Sequence, residues 1–141
     1  MATDAKKIAK GSHDAWNSHD VNRVLEFYTD DCVHEDVPYG IVSHGKKELT
    51  TFLNSSFVDF PDIRWELKSL FGAGDWVGKE WVMSGTHAHS RTPGVPATGK
   101  TFSVRGATIY QFHNGKISHE SAYYNVVTLM QQVGLMPTQP K

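Results

Sequence analysis

Apolar positions recur at three- and four-residue steps near the start of the chain and at alternate residues over most of the remainder. Ile8, Ala9, Ser12, Ala15 and Trp16 keep the first spacing and predict an amphipathic helix, with Thr3 or Asp4 as its cap. Asn17-Ser18-His19-Asp20 interrupts it, and Asp20 is placed to cap a second short helix through Val21, Val24, Leu25 and Tyr28, closed by Asp30-Asp31. Residues 32–37 alternate and predict a strand, Pro38-Tyr39-Gly40 a turn, and a third helix starts at about Gly45 with Leu49, Phe52 and Leu53 on one side.

From there the pattern turns to strands. Residues 57–70 predict a strand entered through a bend at Pro61-Asp62, and Gly72-Ala73-Gly74-Asp75 a turn. Residues 76–89 predict a long strand, and residues 91–99 an irregular loop. Residues 101–112 and 116–125 then flank His113-Asn114-Gly115, a strong hairpin signal because Asn-Gly tolerates positive φ. Helices first and long antiparallel strands afterwards make an α+β layout. No repeat or low-complexity tract interrupts residues 1–141, which read as one domain.

Composition narrows the function classes. A formal charge of -1 and a pI near 6.7 give no basic excess for phosphate neutralisation, so nucleic acid is not an expected partner. The first residues hold no long apolar run, so neither a signal peptide nor a membrane span is expected. Cys32, the single cysteine, has no partner for an internal disulfide and reads as a packed strand residue; a reducing, cytoplasmic setting follows most simply.

The segment Gly115-Lys116-Ile117-Ser118-His119-Glu120-Ser121-Ala122-Tyr123-Tyr124-Asn125, followed by Leu129 and Gln131-Gln132-Val133-Gly134, resembles the closing strand and terminal turn of the SnoaL-like polyketide cyclases. Phe60-Pro61-Asp62, Gly85-Thr86-His87 and the stretch from Gly94 to Lys100 extend the resemblance over nearly the whole chain. It implies the nuclear-transport-factor-2-like fold: a strongly curved antiparallel sheet wrapped around three N-terminal helices into a cone with an internal pocket. It also implies cofactor-independent chemistry, in which a base makes an enolate from a small carbonyl compound and neighbouring donors stabilise it. A homodimer is implied as well. In this alignment Asn125 stands where the family carries its catalytic Asp, and Ser121 replaces a usual Trp.

A two-residue turn at Asn114-Gly115 pairs His113 with Lys116, and strict alternation then sets Phe112 against Ile117, Tyr110 against His119, Thr108 against Ser121, Gly106 against Tyr123 and Val104 against Asn125. The resemblance makes this face concave, with Tyr110, Tyr123 and His119 lining the substrate pocket and Gly106 leaving room for Tyr123. The opposite face, with Ala107, Ala122 and Glu120, becomes the dimer surface.

Asn125 is an amide and has no titratable form near neutral pH; it can hydrogen-bond an enolate oxygen, or cap a helix starting at Val126. A substitute base is needed. His34 and Asp36 lie two apart on one strand and share a face, where a carboxylate beside an imidazole can make a general base; the alternative is a solvated face. Tyr39 follows at the expected mouth as a hydrogen-bond donor. His87 and His89 have a spacing that can hold a metal, but no third ligand stands at diagnostic spacing, so no metal is expected and His87 is read as a proton donor to the pocket. His13, His19, His44 and His113 fall on helix or turn positions and receive no role. Trp16, Trp65, Trp76 and Trp81 are mostly core, with Trp81 read as a pocket wall for a planar or cyclic apolar ligand. Two function classes follow: an acid/base cyclase, dehydratase or isomerase, or a ligand-binding protein of the same fold without catalysis. A pocket holding no titratable group would mark the second.

Overall fold

The computed structural model describes residues 2–90 and 93–138. The chain runs α1 (Ala2–Ser18), α2 (Val21–Leu25), β1 (Tyr28–Asp36), β2 (Ile41–His44), α3 (Gly45–Asp59), β3 (Arg64–Ala73), β4 (Trp76–Thr86), β5 (Thr101–His113), β6 (Lys116–Tyr124) and α4 (Val126–Gln132). The strands form one curved, unclosed six-stranded sheet in the order β2-β1-β6-β5-β4-β3. All neighbours are antiparallel except β1 and β6, which run parallel. Helix α1 packs on β3 and β4, α3 on β1 and β2, and the short α4 on β5. The α+β fold of curved sheet and helices is thus the expected one.

Several boundaries differ from the pattern. Thr3 and Asp4 lie inside α1 rather than at its cap. Asp20 does cap α2, accepting a hydrogen bond from the Arg23 N–H at 3.2 Å. That helix ends at Leu25, and Tyr28 opens β1 instead. Tyr28 is fully buried, its backbone pairs with Ile117 of β6, and its hydroxyl has a buried acceptor in Glu120; these long-range contacts override the local helical spacing. Phe57 belongs to α3, so β3 starts only at Arg64. Residues 91 and 92 of the expected loop lie outside the described residues.

The decisive departure is in the last hairpin. Asn114 and Gly115 take φ of 50° and 77°, as a two-residue turn requires, and His113 pairs with Lys116 and Phe112 with Ile117. Beyond that point Gln111 pairs with His119, leaving Ser118 as an extra residue whose hydroxyl bonds the Gln111 carbonyl at 3.1 Å. This is a β-bulge, and one inserted residue turns every following side chain of β6 to the other face. Tyr110 therefore faces Glu120, Thr108 faces Ala122 and Gly106 faces Tyr124. The face expected to be a dimer surface on β6 is the inner one.

Two apolar clusters flank the interior. One joins Ala9, Ala15, Trp16, Leu49, Leu53, Tyr28, Cys32 and Ile117 beneath α1 and α3, and Cys32 is packed there as expected. The other joins Ile63, Trp81, Met83, Phe102, Val104, Leu129 and Val133 beneath α4. Gly106 sits where a Cβ would lie 2.3 Å from the Trp81 ring and 2.7 Å from the Tyr123 carbonyl oxygen. The glycine makes room for Trp81, not for the Tyr123 side chain.

Candidate active site

Between the two clusters lies a cavity of about 70 Å³, several times the ~15 Å³ that one water needs. Its wall is aromatic, with Trp16, Phe52, Trp65, Trp81 and Tyr124 among the lining residues, and its polar groups include His13, His34, Asp36, Lys79, Thr108 and Glu120. Each polar group arrives by strand or helix period. Val77, Lys79, Trp81 and Met83 are the buried alternate positions of β4, and His34 and Asp36 those of β1. His13 follows Ala9 by one helical turn and precedes Trp16, on the buried stripe of α1.

Glu120 is the centre of this set. It is 4 % exposed and stands opposite His34 in the parallel pairing of β1 with β6. Its Oε1 accepts from the Tyr28 hydroxyl at 2.5 Å, and the Tyr28 hydroxyl oxygen in turn accepts from Trp16 Nε1 at 2.9 Å. Its Oε2 lies 3.6 Å from His34 Nε2, a charge contact longer than a hydrogen bond. Burial pushes the Glu120 carboxyl up, but His34, Lys79 and the Tyr28 hydroxyl outweigh it and hold it below its usual value. Glu120 is accordingly a carboxylate at neutral pH.

The His34 ring is clamped by Trp16, stacked at 5.4 Å between centroids, and by Phe52 at 5.0 Å. Nε2 is the ring nitrogen turned to the Glu120 carboxylate. Nδ1 is buried and makes no hydrogen bond among the described residues. Asp36, two residues further along β1, accepts from the Tyr124 hydroxyl, at 2.9 and 3.0 Å to its two oxygens.

On the other side, Lys79 Nζ donates to His13 Nδ1 at 2.9 Å, and His13 Nε2–H donates to the Trp65 carbonyl at 2.9 Å. Burial first, and the charge of Lys79 second, push His13 down to about 4, so its ring is a neutral acceptor. Burial pulls Lys79 down to about 8 against the opposing attraction of Glu120 and Asp14. Its head group lies 5.1 Å from the centre of the Tyr110 ring.

A model of the family described as SnoaL-like polyketide cyclase matches residues 6–133. The chain belongs to the SnoaL-like polyketide cyclase family. Solved structures share its fold. The candidate hydroxylase AclR from Streptomyces galilaeus is 23% identical, with 100% of this chain and 87% of that one covered at a TM-score of 0.83. IdmH, a candidate polyketide cyclase from Streptomyces antibioticus, is 22% identical over 92% and 98% of the two chains, at a TM-score of 0.79. A candidate SnoaL-like cyclase from Jannaschia sp. CCS1 is 16% identical over 97% and 96%, at a TM-score of 0.85. None of the curated proteins compared matches the chain.

In this SnoaL-like protein the residues singled out from sequence separate into groups. His34, Asp36, Tyr39 and Trp81 line the one cavity. Tyr110 is fully buried behind Lys79 and does not line it. Tyr123 is 48% exposed on the outer face, and His119 pairs there with Glu35 at 2.9 Å, because the bulge at Ser118 turns both outward. His87 is buried beside a second small cavity, where its Nδ1 accepts from the Thr98 N–H at 3.1 Å. That cavity shares Tyr39, Phe60 and Leu129 with the first, but His87 does not reach the His34 group. Among the described residues no His, Cys, Asp or Glu cluster could hold a metal ion, and no helix is long and apolar enough to cross a membrane.

Asn125 is exposed and caps α4, its Oδ1 accepting from the Thr128 N–H at 3.0 Å. It lines a shallow outer groove with Tyr123 and Arg105 instead of the cavity. Asn125→Ala should therefore cost about 1 kcal/mol of stability, read in urea unfolding, and leave ligand affinity of the cavity unchanged. A tenfold loss of affinity at full folding would return Asn125 to the site.

Sequence reading passed over Glu120, Lys79, His13, Tyr28 and Tyr124. For Lys79 and His13 the signal was present. Lys79 falls in the alternating run Val77, Lys79, Trp81, and His13 on the helical stripe of Ala9 and Trp16, so both were marked for burial by period alone. Glu120 and Tyr124 depend on the bulge, which no turn residue announces.

Proposed function

We infer that this SnoaL-like chain is an enzyme that moves a proton next to the carbonyl of a small, mostly apolar molecule, the step shared by aldol cyclisation, dehydration and double-bond isomerisation. The observation that carries this is the His34–Glu120 pair: a buried imidazole with its Nε2 toward a carboxylate and its Nδ1 without a hydrogen bond among the described residues, in an aromatic cavity. In this reading the His34 imidazole takes the proton α to the carbonyl, and Glu120 stabilises the imidazolium that forms. The Lys79 head group is the donor for the developing enolate oxygen. The proton-transfer step is assigned to the chain's own side chains. A polyketide-like or related cyclic carbonyl compound suits the aromatic wall, and the family's cyclases support that class of substrate.

A pocket without titratable groups would have favoured simple ligand binding; the His34, Glu120, Lys79 and Asp36 lining favours catalysis. We also propose a cytoplasmic homodimer. Its support is the outer face of the sheet, where Phe71, Trp76, Ile109 and Tyr123 are exposed.

The test is hydrogen exchange. In deuterium oxide, the protein should catalyse exchange of α-protons in a panel of small cyclic and aryl ketones, read by mass spectrometry above the buffer rate. Ketones that bind without exchanging would sink the catalytic reading and leave ligand capture.

A further inference from the structure

Lys79 is a second reactive group in the same cavity. It is 6% exposed, while Lys68 and Lys100 lie on the surface. Strand β4 places it between Val77 and Trp81 on the inner face, opposite Thr108 of β5. One N–H is committed to His13 Nδ1, and the His13 ring is locked in that role by its bond to the Trp65 carbonyl. The Tyr110 ring lies beneath the head group, and the groups of opposite charge that act on it are Glu120 and Asp14. A neutral amine held by one donated hydrogen bond keeps a second N–H and its lone pair for the cavity.

We propose that Lys79 is an amine nucleophile that forms a reversible imine with an aldehyde or ketone bound in the cavity. The proposal rests on the reading of the cavity as a carbonyl site and adds a covalent route to it. The Lys79 nitrogen bonds to the carbonyl carbon, and the carbonyl oxygen takes up the proton the nitrogen gives up, giving a carbinolamine. With one further proton that oxygen leaves as water, and a protonated imine remains. Loss of the α-proton to the His34 imidazole turns the imine into an enamine, which can attack a second carbonyl; one water then hydrolyses the product from Lys79. Lysines serve this role where burial keeps an appreciable amine fraction near neutral pH, and Lys79 is drawn down to about 8. At pH 7 its amine fraction exceeds that of an ordinary lysine by roughly two powers of ten.

The experiment is reductive trapping on the intact protein with propanal and with benzaldehyde at pH 7 and cyanoborohydride, followed by peptide mapping. Lys79 should gain one alkyl group at least about tenfold faster than exposed lysines such as Lys68. Labelling of Lys79 no faster than the surface lysines, or only of the surface lysines, overturns the proposal. The two readings fail separately. Ketone exchange without trapping removes the imine and keeps the His34 base; trapping without exchange keeps the imine and removes the base. A His34→Gln protein should still be trapped at Lys79.

Discussion

Glu120→Gln should destabilise the fold by about 3–5 kcal/mol at pH 7, the range for breaking a buried ionic contact from one side. The substitution keeps shape and an oxygen that can still accept from the Tyr28 hydroxyl, so it removes charge and little else. What stays behind is the Lys79 ammonium, buried 6% exposed, with His13 as a neutral partner. Its nearest relief is to release its proton, and the variant should do so at a lower pH than the protein itself. The pH dependence has a definite sign. The Glu120 carboxyl is held below its usual 4.5, so its stabilising share is complete above the unfolded value and is lost as pH falls through the folded value. Gln cannot titrate, so the two proteins should converge in stability in acid and separate most near neutrality. Urea unfolding at pH 3 and pH 7 reads both points. A constant gap between them would mean that packing, not the Glu120 charge, accounts for the loss.

The fold was legible because its determinants are local and periodic. Helix spacing at Ile8 to Trp16, alternation in β4 and β5, and Asn114-Gly115 as a turn fix most elements without any distant contact. Tyr28 marks where local reading fails, since its three- and four-residue spacing from Val21, Val24 and Leu25 fits a helix while Glu120, 92 positions away, holds it in a strand. The site was half legible for the same reason. His34, Asp36, Tyr39 and Trp81 were placed by period in strands or turns without irregularity. The β6 contribution was inverted because a single bulge residue, Ser118, has no composition of its own. Its effect is large: it exchanges the pocket places given to His119, Tyr123 and Asn125 for Glu120, Ala122 and Tyr124. The carboxylate missing at Asn125 is thus present, on the strand that leads to it and turned inward. The expected partnership of His34 with Asp36 is likewise redirected, because residues two apart on a strand share a face but stand farther apart than cross-strand neighbours.

His34→Gln should lower the rate of α-proton exchange by about 10²–10⁴-fold, the usual contribution of a positioned general base. Gln can fill the space between Trp16 and Phe52 and can turn an N–H toward Glu120, but it offers no titratable lone pair to the cavity. Affinity for a bound ketone should change little, since the aromatic wall is kept, so the loss should fall on kcat and not on KM. Loss of the stacked contact with Trp16 should cost about 1 kcal/mol of stability, too little to unfold the protein during the assay. The informative comparison is Asp36→Asn. Asp36 is bonded to Tyr124, and the contact of His34 runs to Glu120 across the strands. Asp36→Asn should therefore cost no more than about tenfold, through a less well fixed Tyr124 ring in the cavity wall. Equal, large losses in the two variants would restore the pairing of His34 with Asp36 along one strand. A large loss in Asp36→Asn alone would move the base to Asp36 and leave His34–Glu120 as a structural pair.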